Sequence, residues 1–242
     1  VTRDLDGARM RAILVLAAAV AFILFTYLAP EFSGFRTDQM PYAEAEPAIQ
    51  PAGFAFSIWG PIYLWLLLAA GFGLLRRAEA SDWDAHRWPL IGALVLGAGW
   101  TAVAVQSPFW ATVMIWAMLA FAIWALVRAP HRDFWWARAP IGLFAGWLTA
   151  ASFVSLGLIL AGYGLLGSAR VAAWVMLPLA AAFAVAVYLR LAPGGAYVFA
   201  AAWGFFGIAV ANIGRHADVA VLGVIGLSVL AGLWWRQRYR TA

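Results

Sequence analysis

The chain has 242 residues, 65% apolar and only 11% charged, against roughly half and a quarter in soluble domains. That balance excludes a soluble globular protein and identifies a membrane chain. The net charge of +5 comes from sixteen Arg and no Lys, set in short clusters between apolar blocks, where anionic lipid headgroups and not nucleic acid are the expected partner.

A bilayer core of about 30 Å takes about 20 helical residues. Uncharged blocks near that size run at 12–30, 52–75, 88–106, 108–127, 140–162, 171–189, 196–213 and 218–235, so the expected architecture is all-α: a polytopic transmembrane bundle of eight helices. None has a charge in its middle third, and none shows the alternation of a barrel strand. The first block follows Arg9 and Arg11 like a signal peptide, but Leu28-Ala29-Pro30-Glu31 offers no small-x-small cleavage site, so it reads as an uncleaved helix. The long connection 31–51, with Pro30, Pro41, Pro47 and Pro51 in and around it, is a candidate lid. Gln106-Ser107-Pro108 can only reverse direction, which makes helices three and four a tight antiparallel pair. Small residues at Ala93, Gly97 and Thr101, and the GxxxG run Gly142–Gly146, suit close helix packing.

Thirteen of the sixteen Arg fall on one side of this topology: Arg3, Arg9, Arg11, Arg76, Arg77, Arg87, Arg128, Arg132, Arg138, Arg190, Arg236, Arg238 and Arg240. Arg36, Arg170 and Arg215 fall on the other, with Glu31, Asp38, Glu44 and Glu46. By the excess of positive charge on the cytoplasmic side, both termini are expected in the cytoplasm.

Catalytic chemistry is poorly served. Without Cys there is no thiolate metal site and no cysteine nucleophile. His86, His131 and His216 all fall in connections. His86 with Asp82, Asp84, His131 and Asp133 could form a loop metal site, although solvated interface residues explain them better. Ser57, Ser152 and Ser155 have no His at their depth, which favours hydrogen bonding between helices. No nucleotide or metalloprotease motif appears, and the chain reads as non-enzymatic, with no cofactor and no metal.

The fifteen Trp are the informative anomaly. Eight (Trp83, Trp88, Trp110, Trp135, Trp136, Trp174, Trp234 and Trp235) sit at span ends as interfacial anchors. Trp59, Trp65, Trp100, Trp116, Trp124, Trp147 and Trp203 lie inside spans, where each indole N–H needs a partner that lipid cannot give; they should point inward or snorkel. Counted at 1.5 Å per residue, Trp59, Trp100 and Trp116 share one layer roughly 10–12 Å below the outer surface. Phe56, Trp59 and Tyr63 share one helix face. Such a layer suits a pocket for a flat apolar ligand, and equally an aromatic core that holds none.

The run Pro51-Ala-Gly-Phe-Ala-Phe-Ser-Ile-Trp59-Gly-Pro-Ile-Tyr63 resembles the loop-to-second-helix signature of the TspO/MBR family (tryptophan-rich sensory protein, translocator protein), with its P-x7-W-x3-Y spacing. Trp100 and the run Phe144-x2-Trp147-x3-Ala151 resemble two further family positions, and the resemblance spans roughly residues 10–165. It implies a five-helix bundle over 1–165, followed at 166–242 by a three-helix extension and basic tail, as in a longer bacterial branch of the inner membrane. It also implies binding or transport of porphyrins, sterols or similar hydrophobic molecules, often by a dimer, at Phe54, Trp59, Tyr63, Trp100, Trp147 and Ala151. A tetrapyrrole is the ligand class to try first, and a homodimer or another membrane protein the partner. The chain departs from the family at Gly97 and Ser155, where the family has Asn, in keeping only Pro51 of a proline pair, and in lacking a loop Trp. Asn212, the sole Asn, is expected to cap or cross-link helices.

Overall fold

The structure is a computed structural model that describes residues 2–240 except Glu31 and Ser33, with side chains over 6–236. Glu31 and the side chains of Arg3, Arg238 and Arg240, all used above to orient the chain, lie outside the described residues.

The described residues form eight long helices and one short one: α1 Thr2–Leu28, α2 Trp59–Arg77, α3 Ser81–Asp84, α4 Arg87–Ala104, α5 Pro108–Arg128, α6 Arg138–Gly162, α7 Ala169–Leu191, α8 Gly195–Ala211 and α9 Ala217–Arg240. Proline punctuates them. Pro61, Pro89, Pro108 and Pro140 stand in first turns, where an amide N–H has no helical partner to lose, and Ser107 and Ser168 cap α5 and α7 by accepting from Trp110 N and Val171 N. Two boundaries differ from the apolar blocks. The block beginning at 52 opens as a 3-10 turn, Gly53–Ile58, before α2, and α1 carries its helix back through Arg9 and Arg11. Seven of the long helices have the length and apolarity to cross a membrane; α8 is shorter at 17 residues, stopped by Gly194 on one side and the turn at Asn212 on the other.

Helices α1, α2, α6, α5 and α4 close a five-membered ring in that spatial order, with α7 and α8 packed on the outer side of α6 and α9 against both. Helix α6 is therefore the wall common to the ring and the C-terminal helices, and nearly all its residues are buried. The GxxxG pair serves the α6–α8 contact: a Cβ on Gly142 would meet Pro193 O and Tyr197, and one on Gly146 would collide with the Tyr197 backbone. Thr149 Oγ1 and Tyr197 Oη share a hydrogen bond of 3.0 Å across the same seam. On the other flank of α6, Ser155 Oγ bonds Thr112 Oγ1 at 2.6 Å and Ser152 donates to Ile115 O. These serines are helix cross-links; Ser57 is exposed.

At the arginine-rich end the structure corrects the expectation that His86 is solvated: His86 is buried, and so are Arg87 and Arg138. Arg87 donates to Arg77 O and Ala78 O, at the end of α2, and to Ala8 O. Arg138 donates to Ala129 O, after α5, and to Leu191 O, at the end of α7. The last carbonyls of a helix have no intrahelical donor and carry the negative end of its dipole, so a guanidinium is their natural partner. Asp82, Asp84 and Asp133 are likewise engaged, by Arg132, Arg11 and Arg77. The Arg77 guanidinium holds the Asp133 carboxyl below the usual carboxylate range. Among the described residues no group of three His, Cys, Asp or Glu is placed to hold a metal ion.

Candidate functional site

The ring is open at the opposite end, and the sequence explains why. Phe22 of α1 lies against Gly97 of α4, where an added Cβ would stand 2.6 Å from the ring, so the aromatic occupies the space an Asn side chain would need. Above Phe22 the helices part. The result is a cleft of about 460 Å³ bounded by Phe22, Thr26 and Tyr27 of α1, Trp59, Gly60 and Tyr63 of α2, Trp100 and Thr101 of α4, and Met118 of α5. Tyr27, Pro30, Ser57 and Gly60 are its exposed rim, so it opens sideways between α1 and α2.

A second, smaller cavity of about 60 Å³ lies beside it, under the first loop. Its floor is Trp147, Ala151 and Ser155 of α6 with Ile115 of α5, and its roof is Phe35, Gln50 and Pro51. Phe32, Phe56 and Trp100 line both spaces and form the partition between them. Gly34 is required in the roof: its φ of +129° is a conformation other residues rarely adopt, and a Cβ there would fall 2.7 Å from the Gln50 amide.

The aromatic rings fix one another. Trp59 stacks on Tyr63 (5.4 Å between centroids) and meets Phe22 and Trp147 edge-on at 5.9 and 6.1 Å. Trp100 and Phe32 meet near-perpendicular at 4.9 Å, and Trp100 donates its N–H to Ala111 O at 2.9 Å. Tyr63 Oη reaches Thr26 Oγ1 at 3.4 Å. Trp147 is different: it is 2% exposed, it lines the small cavity, and among the described residues its indole N–H has no partner. A buried donor left unpaired costs about 1–3 kcal/mol, which a hydrogen-bond acceptor in the cavity would recover. Among the described residues neither lining includes a carboxylate, an imidazole or a guanidinium, so recognition by them rests on rings, hydroxyls and N–H groups.

Of the six residues indicated by the resemblance, five meet here. Trp59 and Tyr63 line the cleft, Trp147 and Ala151 the small cavity, and Trp100 both. Phe54 does not join them: it is exposed and packs on Trp203 and Phe206 of α8, because the 3-10 turn carries it to the opposite side of the chain from Phe56. Nor does Trp116. It faces Phe153 on the α6 side and lines neither space. Trp124, expected to point inward or to snorkel, is half exposed near the end of α5. Sequence reasoning missed Phe22, Thr26 and Phe32. The i, i+4 spacing of Phe22 and Thr26 was a usable signal, whereas nothing local marks Phe32.

The roof is tied to the C-terminal helices. Asn212, buried after α8, donates from Nδ2 to Ala48 O and Ile208 O, both at 2.8 Å, so the cross-link runs from helix to loop. Ala52 N donates to Gly207 O, Trp203 Nε1 to Ala55 O, Ala169 N to Glu44, and Arg215 pairs with Glu46.

Among curated proteins and among solved structures, none matches the chain. The family model described as TSPO-like protein does match, over residues 12–235, and so runs through all eight long helices, including the three that follow residue 165. By that match the chain belongs to the TSPO-like protein family.

Proposed function

We propose that this membrane protein binds a flat hydrophobic small molecule, with tetrapyrroles the first class to try, in the cleft between α1, α2 and α4. The observation that supports this most is the cleft's size and lining: about 460 Å³, within the range of small-molecule sites, walled by Trp59, Tyr63, Trp100 and Phe22 and open to the side. The small cavity alone has room for about two waters. A ring system therefore lies in the cleft, with an acceptor substituent passing the Phe32–Phe56 partition toward the Trp147 N–H.

On this reading residues 1–165 carry the site and 166–242 buttress it through α6 and the roof. The protein works without catalysis, in a bacterial inner membrane with both termini cytoplasmic. Any movement of ligand is downhill or driven by a partner, since the spans offer no charged coupling site. The test is titration of the purified protein with protoporphyrin or haem while tryptophan emission is followed. Trp59→Leu and Trp147→Leu should each weaken binding by about 1–3 kcal/mol, or about five- to a hundredfold. Unchanged affinity in both variants would overturn the assignment.

A second reading, a structural or assembly protein with no ligand, draws support from the same rings, since Trp59 has four aromatic neighbours and could serve as core. Gentle detergent extraction separates the two: a stoichiometric protein partner without pigment favours the second, and co-purifying pigment the first.

A further inference from the structure

The arginine-rich end carries a recess of its own, independent of the aromatic cleft. It is an open hollow of about 420 Å³ between the start of α1, the end of α2 and the 129–137 loop, with Arg9, Arg76, Arg77, Arg132 and Glu79 among its lining. Two of these guanidinium groups are already neutralised. Arg77 holds Asp133 through two hydrogen bonds of 2.7 and 3.1 Å, and Arg132 pairs with Asp82 at 2.6 Å. Arg9 and Arg76 are exposed, and among the described residues no ion pair engages either. Among the described residues Glu79 is the one carboxylate of the lining, and with them the hollow keeps a net positive charge.

Two further features decide what kind of anion suits it. Leu75, next to Arg76, is 81% exposed and also lines the hollow, so a cationic patch and an apolar track adjoin. One turn earlier, Phe72 stacks with Trp136 at 4.9 Å, a half-exposed indole of the type that marks headgroup depth. The end of a helix ordinarily repels anions. Here that effect is blunted, because buried Arg87 takes up Arg77 O and Ala78 O from the protein side.

We propose that this hollow binds the phosphate headgroup of an anionic phospholipid, with Arg9 and Arg76 as its clamp and Leu75 bearing the first stretch of acyl chain. A free phosphate would use the arginines and leave Leu75 idle. Native mass spectrometry of the full chain, equilibrated with equal amounts of phosphatidylglycerol and phosphatidylcholine, reads the preference directly. The wild type should retain phosphatidylglycerol selectively. Arg9→Gln and Arg76→Gln should each lower that selectivity about fivefold, and together on the order of thirtyfold. Arg190→Gln, an exposed arginine predicted on the same side and outside the hollow, should leave it unchanged. Excess inorganic phosphate should leave the retained lipid in place. The proposal fails if the double variant keeps its preference, if Arg190→Gln loses as much, or if phosphate displaces the lipid. All three substitutions are at exposed positions, so the variants keep their fold.

Discussion

Helix α6 and helix α1 are both long apolar helices of the same ring, yet 83% of the most apolar stretch of α6 is buried and only 28% of that of α1. Small residues account for much of the contrast. Gly142, Gly146 and Gly157 let α6 approach α8, Ile49 and Met176 closely, and the hydroxyls of Thr149, Ser152 and Ser155 find partners on neighbouring helices. In lipid, where apolar side chains gain little by leaving the solvent, close backbone approach and hydrogen bonds do most of the associating. Around the upper part of α1, bulky rings meet at their edges and leave space. The site sits on the loose side of the ring, while its roof is tied to the tight side through Asn212, Trp203 and the backbone of α8.

The strongest way to break this contrast is to force the seam. Gly146→Leu would drive a side chain into the Tyr197 backbone, and we expect a loss of about 3 kcal/mol, read as a lower midpoint of unfolding in detergent. An unchanged midpoint would mean that α8 is not seated on α6. A smaller effect is expected at the roof. Asn212→Leu removes both donated hydrogen bonds and leaves Ala48 O without its donor, a loss of about 0.6–2 kcal/mol for bonds of this kind in a membrane bundle. Arg36 is the one arginine between α1 and α2 and is exposed, so trypsin cleavage after it reports opening of the roof. Cleavage should rise about three- to thirtyfold; a rate equal to wild type would show that α8 does not hold the loop.

How much of this could be read from the residues follows the same division. Lipid admits few conformations, so the uncharged blocks marked all eight long helices, and Pro51, Trp59, Tyr63, Trp100 and Trp147 are all found lining the cleft or the small cavity. Helical rotation was harder to read. Trp116 and Trp100 were assigned one depth, but depth says nothing of azimuth, and Trp116 turns to Phe153. Phe54 was indicated by the resemblance alone, and the 3-10 turn around it, at three residues per turn, carries it away from Phe56. Burial of Arg87 and Arg138 was invisible for another reason: their partners are carbonyl groups of other helices, which every residue possesses and no sequence pattern announces.

The smallest expected change in stability comes from making, on the loose side, the same kind of substitution that should wreck the seam. A Cβ on Gly60 meets nothing within 4 Å, so Gly60→Leu adds a side chain to open space at the start of α2. Its unfolding midpoint should stay within about 0.5 kcal/mol of wild type. Yet Gly60 is part of the rim between α1 and α2, and a leucine there narrows the side of the cleft that faces away from the ring. Protoporphyrin should therefore associate more slowly by stopped-flow tryptophan quenching, with the fold intact. Were the association rate unaltered while Trp59→Leu still weakened binding, the ligand would have to reach the rings by way of the roof, and the proposed sideways route would be wrong.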